Sequence, residues 1–360
     1  MSERIKGFDG IRGLAASAVV LHHYGYRGTV LGDVAVLVFF VLSGFLIVGI
    51  LHSMRQEIES GVRSTGGAIQ EFWRHRILRI FPAFYLVLAA AYVGEIWVGY
   101  VNLADGLPWY LTFTQNFYVA WVQPFWLTMS HTWTIAVEQQ FYLLIAPLLL
   151  LVPSRLQWAL VVAIVLTGAA MTMALHGIGV SNHALRLLPF HGMAYIAAGG
   201  LTYFVVGKLS AGALGGIVPL ACTSVLLVVS QPAWVPAGWA FTASAPIANG
   251  LCLAASCALI ASCAVNQQAR WVGWLEWRPL VYLGTISYGL YIVHVPLTWA
   301  MASPFHALIQ GIGISGPLYG WTFFSLVFGA SVAAASLLWF GVERPILRLK
   351  GRPALRPAMA

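Results

Sequence analysis

The chain reads as a succession of apolar runs separated by short polar segments. The runs fall near 10–27, 34–51, 81–100, 131–152, 157–175, 188–206, 212–230, 246–264, 280–301 and 318–340. Each is close to the roughly 20 residues that cross a bilayer as a helix. The pattern therefore predicts an all-α, polytopic membrane protein, a bundle of about ten transmembrane helices.

The segments between the runs carry their own patterns. Residues 52–80 begin polar and Gly/Ser-rich, then become basic and amphipathic from Phe72 onward. Arg76 and Arg79 lie three apart and share a helix face, with Ile77 and Ile80 turned elsewhere. Pro82, in "RIFP", suits the first turn of the third span. Residues 101–130 contain "PWYLTFTQNFYVAWVQPFW", an aromatic density expected of an interfacial belt or a re-entrant segment. A stacking surface for a sugar uses the same residue types. The Gly- and Ala-rich spans from 188 to 264 suit close helix packing.

Composition agrees with the pattern. Only 8% of the residues are charged, against about 25% in a soluble globular domain. The net charge of +8 raises the question of nucleic acid, but the basic residues sit in short clusters between spans. With the N-terminus inside, seventeen of the 19 Lys and Arg fall on inner segments, and only Arg27 and Arg186 on outer ones. That bias orients the chain with both termini cytoplasmic; it does not point to a nucleic-acid partner. Cys222, Cys252, Cys257 and Cys263 lie in or beside spans without metal-ligand spacing, so buried thiols are expected and no metal site. The first run is too long and too charged for a cleavable signal, and a second span follows at once.

Ionisable groups within a bilayer are costly, so each is a candidate functional group. Arg12 and His23 are eleven residues apart. A helix brings them within about 20° of one face and separates them by about 16 Å. His22 points about 80° away, and Asp9 is placed to pair with Arg12. Glu138, in "HTWTIAVEQQFYLL", lies two turns into a span entering from outside, at a depth that allows a carboxylate–imidazole pair with His23. In "VFFVLSGFLI", Gly44 allows a close helix crossing and Ser43 can bond back to its own helix; no elbow-type turn marks Ser43 as a nucleophile. His294 and Pro296 suggest a kinked span with an inward histidine.

These motifs together resemble the acyltransferase-3 family of integral membrane acyltransferases, bacterial O-acetyltransferases of surface glycans. The matching pieces are "FDGIRGLAA…HH", "VFFVLSGFLI", "RHRILRIFPAFYL", "HTWTIAVEQQFYLL", "YLGTISYGLYIVHVPL" and "ERPILRL", in the family's order over residues 8–348. The resemblance implies a single transmembrane acyltransferase domain over 1–350, with 351–360 a short basic cytoplasmic tail. It implies transfer of an acyl group, usually acetyl, from acyl-CoA to a hydroxyl, with no permanently bound cofactor. Partners are then acyl-CoA, a glycan or lipid-linked saccharide acceptor and membrane lipids, in the cell inner membrane. The family's essential Arg–x10–His pair maps onto Arg12 and His23, the basic cluster onto Arg76 and Arg79, the glutamate onto Glu138 and the "SGF" serine onto Ser43. One departure is "VEQQFY" for the frequent "VEEQFY", which puts Gln139 in place of a second carboxylate.

The expected site is therefore His23, Glu138 and Arg12 for catalysis, with Arg12, Arg76, Arg79 and Ser43 on the donor. Asp9, Asp33 and His294 are supporting candidates. The arginines would hold the CoA phosphates, and His23 would act as general base or accept the acyl group. Glu138 would orient His23. Two other classes keep charges inside a bundle: a secondary transporter or flippase, disfavoured because no paired broken helices occur in corresponding halves, and a scaffold or sensor, disfavoured by the number of inward ionisable groups.

Overall fold

A computed structural model describes residues 4–25, 29–98, 103–122, 127–210, 212, 214–231 and 246–349. The expected tail at 351–360 and the outer Arg27 lie outside the described residues. Every regular element among the described residues is helical: α1 (Phe8–Tyr24), α2 (Leu31–Glu59) and α3 (Thr65–Val98) come first. The next segment folds as α4 (Leu103–Leu111), α5 (Gln115–Phe117) and a π turn over Tyr118–Val122. A 3-10 turn at Ser130–Thr132 leads into α6 (Trp133–Leu151), followed by α7 (Gln157–Gly177), α8 (Asn182–Leu187) and α9 (Pro189–Val206). Then come α10 (Val218–Val229), α11 (Pro246–Val265), α12 (Arg270–Leu275), α13 (Arg278–Thr285), α14 (Ser287–Gly311) and α15 (Pro317–Leu338). A π turn at Trp339–Glu343 and α16 (Arg344–Arg348) complete the described chain.

Seven helical stretches among the described residues are long and apolar enough to cross a membrane: Leu31–Glu59, Thr65–Trp97, Ser130–Leu151, Ser154–Gly177, Pro246–Val265, Ser287–Gly311 and Pro317–Arg348. The other three expected spans fall on α1, α9 and α10. α1 has 17 residues, among them Asp9, Arg12, His22 and His23. α9 has 18 residues and dilutes its apolar content with His191, two tyrosines and three glycines. α10 has only 12.

All three pack within the bundle: α9 against α2 and α7, α10 against α11, and α1 among α2, α13, α14 and α15. Two of these crossings bring backbones into contact. A Cβ on Gly44 would fall 1.6 Å from the Ile196 carbonyl oxygen, so α2 meets α9 there as the sequence suggested for this glycine. On the other side of α1, a Cβ on Gly284 would fall 1.9 Å from the Asp9 carbonyl oxygen.

The proline-bearing elements differ from expectation. Pro82 is not in a first turn but inside the 34-residue α3. It removes the amide that would bond the Leu78 carbonyl. The buried Ala83, Phe84, Val87 and Leu88 carry the helix across it by packing. The ninth expected span begins as α13, breaks at Ile286 and continues as α14 with Pro296 and Pro304 inside. The aromatic segment is tied into the protein: Gln115 and Asn116 are fully buried. Gln115 Nε2 donates to the Thr132 carbonyl at 3.0 Å, and Asn116 Nδ2 to the Leu187 carbonyl at 3.1 Å.

Candidate active site

α2 presents Val36, Phe40, Ser43, Ile47 and Ile50 along one face, the i, i+3/i+4 spacing of a helix stripe. That face, with α1, α3, α6 and α14, encloses a cavity of about 290 Å³. Arg12, Ser43, Arg76, Arg79, Glu138 and Tyr142 supply much of its polar lining. Thus five of the residues expected to form the site from sequence meet at one place, drawn from four helices.

The arrangement within it is specific. Ser43 Oγ donates to Glu138 Oε1 at 2.7 Å. The serine therefore bonds a carboxylate across the cavity, where the sequence suggested a bond within its own helix. Arg76 lies over the rings of Phe72 and Tyr142, 5.5 and 5.7 Å from their centroids. Its buried Nε has no hydrogen-bond partner among the described residues. Arg79 is exposed and marks the open side of the cavity. Among the described residues neither Arg76 nor Arg79 has a carboxylate within 4.0 Å, while Arg12 reaches Asp9 at only 3.5 Å. Asp9 is held more closely by Arg4, at 2.7 Å, and Arg4 in turn by Glu276 at 2.8 Å. Ile80, expected to turn away from the arginines, lines the cavity with them one turn beyond Arg76.

His23 is not part of this lining. It lies in a cluster of rings, with His294 at 5.1 Å between centroids and His294 in turn 4.9 Å from His131. His23 Nδ1 and His294 Nε2 are 3.2 Å apart. His294 Nδ1 lies 2.7 Å, and His131 Nε2 2.9 Å, from the Tyr291 carbonyl oxygen. The expected pairing of Glu138 with His23 is therefore not made. Helix α6 turns Glu138 toward α2 and the arginines, and the residue that reaches the histidine cluster from its start is His131. His294 is inward and fully buried, as the sequence suggested. Asp33 is held in an ion pair with Arg186, whose guanidinium lies 5.6 Å from the Trp133 ring centroid.

Tyr291 joins the two centres. Its side chain lines the cavity beside Thr134, which donates to the Tyr291 hydroxyl at 2.8 Å. The same hydroxyl donates to the His131 carbonyl at 2.5 Å, and the ring sits 5.8 Å from that of His294. Sequence reasoning assigned no role to Tyr142, Tyr291 or His131. The signal was spacing: Tyr142 is one turn beyond Glu138, and Tyr288 and Tyr291 are three apart on the face that lines the cavity.

A protein of Bacillus subtilis named "Putative peptidoglycan O-acetyltransferase YrhL" is 25% identical over 95% of this chain and 55% of its own length. The peptidoglycan O-acetyltransferase OatA of Listeria monocytogenes is 26% identical over 81% of this chain and 49% of its own. The O-acetyltransferase OatA of Staphylococcus aureus is 22% identical over 81% of this chain and 50% of its own. The chain thus spans about half the length of the curated relatives it matches. No solved structure matches it. The family model described as "Acyltransferase domain" matches residues 5–340. With that match running through all five cavity-forming helices and the histidine cluster, the chain belongs to the acyltransferase-3 family, and its long apolar helices make it a multi-pass membrane protein.

Proposed function

We propose that the chain is an O-acyltransferase moving an acyl group, acetyl foremost, from acyl-CoA to a hydroxyl of a cell-envelope glycan, with peptidoglycan as the acceptor class. The observation that carries this reading is the cavity with Arg12, Arg76 and Arg79 on its walls and no carboxylate within 4.0 Å of Arg76 or Arg79 among the described residues. Clustered guanidinium groups are suited to phosphates, which they bind bidentately. The names of the relatives support the acetyl group and the glycan.

In this reading Arg79 and Arg76 take the CoA phosphates at the open side, and the thioester arm runs past Arg12 toward Tyr291 and Thr134. His23 takes the proton of the acceptor hydroxyl as its oxygen attacks the thioester carbonyl. The C–O bond forms, the C–S bond breaks, and the departing thiolate recovers the proton from His23. Ser43-bonded Glu138 is the counter-charge of the arginine wall and not the orienting group of His23. Asp9 and Asp33 act at one remove, Asp9 through Arg12 and Asp33 through Arg186.

The orientation follows from charge. The inner segments hold seventeen of the 19 Lys and Arg, so the arginine mouth faces the cytoplasm, where acyl-CoA is made, and the histidine end faces outward. α1, α9 and α10 complete a set of ten membrane-crossing elements in the inner membrane, all within one domain.

The test incubates membranes containing the protein with labelled acetyl-CoA and follows label into lipid-linked or polymeric glycan. Transfer is expected from the wild type and lost in Arg12→Ala and His23→Ala. Transfer that survives both substitutions overturns the site. Glycan movement across the membrane without label incorporation would show a transporter instead.

A further inference from the structure

We propose that His294 is a positioning residue that fixes the tautomer of His23 and so decides which of its nitrogens reacts; the inference rests on His23 being the proton acceptor of the proposed transfer. It follows from hydrogen-bond accounting along a short chain. A carbonyl oxygen only accepts, so the 2.7 Å contact between His294 Nδ1 and the Tyr291 oxygen puts the proton of His294 on Nδ1. Neutral His294 then has its lone pair on Nε2. That nitrogen faces His23 Nδ1 at 3.2 Å, so the proton between them belongs to His23 Nδ1. The lone pair of His23 is left on Nε2, the nitrogen that takes the hydroxyl proton. The assignment comes from the network, as it must where hydrogens are inferred.

The surroundings hold this chain in register. His294 is fully buried, with its ring between those of His23 and His131 at 5.1 and 4.9 Å. Its backbone carbonyl accepts from Thr298 Oγ1 at 2.6 Å. His131 Nε2 donates to the same Tyr291 oxygen at 2.9 Å, which anchors the carbonyl from a second helix. In enzymes that use a carboxylate behind the base, that group fixes the tautomer. Here a histidine backed by a main-chain carbonyl does so, and Glu138 is engaged elsewhere with Ser43. As His23 becomes cationic during proton transfer, its Nδ1–H bond to His294 strengthens without either nitrogen changing partner.

Two substitutions separate the roles. Glutamine at 294 offers an oxygen to His23 Nδ1–H and an amide N–H to the Tyr291 carbonyl; leucine fills the space and offers neither. Purified protein with ¹⁵N-labelled histidine reports the tautomer by NMR, with the His23 signal assigned by its loss in His23→Ala. The expected result is an Nδ1–H tautomer in the wild type, kept in His294→Gln and lost in His294→Leu. In the labelled acetyl-CoA assay, His294→Leu should lower kcat about 100-fold or more, the scale of a lost orienting partner. KM for acetyl-CoA should stay within about threefold, and His294→Gln should stay within about tenfold of the wild-type kcat. An Nε2–H tautomer in the wild type overturns the proposal, as does an equal loss of kcat in both variants. If His294→Leu does not accumulate, the wild-type and glutamine spectra decide. Should the spectra come out as expected while the wild type transfers no label, the hydrogen-bond chain stands and the acyltransferase reading of the site falls.

Discussion

Arg12 and His23 stand on the same helix, yet the surroundings at its two ends are of opposite kinds. Around Arg12, like charges share an open cavity. Arg79 is exposed, Arg76 rests on aromatic faces, and the cavity lining sets Glu138 against three guanidiniums, with Asp9 behind it 3.5 Å from Arg12. Around His23, imidazole meets imidazole, and the hydrogen-bond chain ends on the Tyr291 carbonyl. The first end is under-neutralised, and in the proposed reading the phosphates of the donor complete it. At the second, His294 is hydrogen-bonded through both ring nitrogens, so it holds a proton in a defined place. Electrostatic attraction reaches across a cavity, whereas proton transfer needs atoms within hydrogen-bond reach.

The difference predicts kinetics that separate along α1. His23→Ala should have the largest effect, lowering kcat about 10²- to 10⁴-fold with KM for acetyl-CoA nearly unchanged; a KM rising in step with the loss would show that the two ends act as one site. Arg76→Ala and Arg79→Ala should do the converse, raising KM for acetyl-CoA about 10- to 100-fold, the scale of one lost charge-assisted bond. Their kcat should change little, and the wild-type KM should rise with salt. Ser43→Ala should act least on turnover. It strips Glu138 of its hydrogen bond and should cost about 1–3 kcal/mol of stability, read as a lower Tm in detergent.

Much of the arginine end was legible in the sequence because its logic is local. The stripe from Arg12 to His23 follows from helix geometry alone, and Arg76 and Arg79 from a spacing of three. Gly44 announced its crossing because only the smallest residue lets α2 touch α9. The histidine end was not legible, because it depends on how far each helix is turned about its own axis. The 3-10 turn at Ser130–Thr132 places His131 beside Tyr291, and α6 then carries Glu138 round to Ser43. Depth in the membrane suggested a Glu138–His23 pair; rotation forbade it. Pro82 misled for a related reason, since packing along α3 outweighed the local cost of a proline. Span counting met its own limit at α1, whose polar groups make it functional and lower its apolar signal together.

The contact of Gly284 with the Asp9 carbonyl has a further consequence. It clamps the Arg12 end of α1 against α13, so the rise of about 16 Å that the helix sets between Arg12 and His23 is measured from an anchored end. In the proposed reading, donors are therefore sorted by reach as well as by charge. A short thioester carrying the same acetyl group would be anchored by nothing while its carbonyl lay at His23. A donor bound by its phosphates needs a long flexible arm to bring the acyl carbon there. Selection of this kind asks only for a ruler, and in the proposed reading α1 is that ruler.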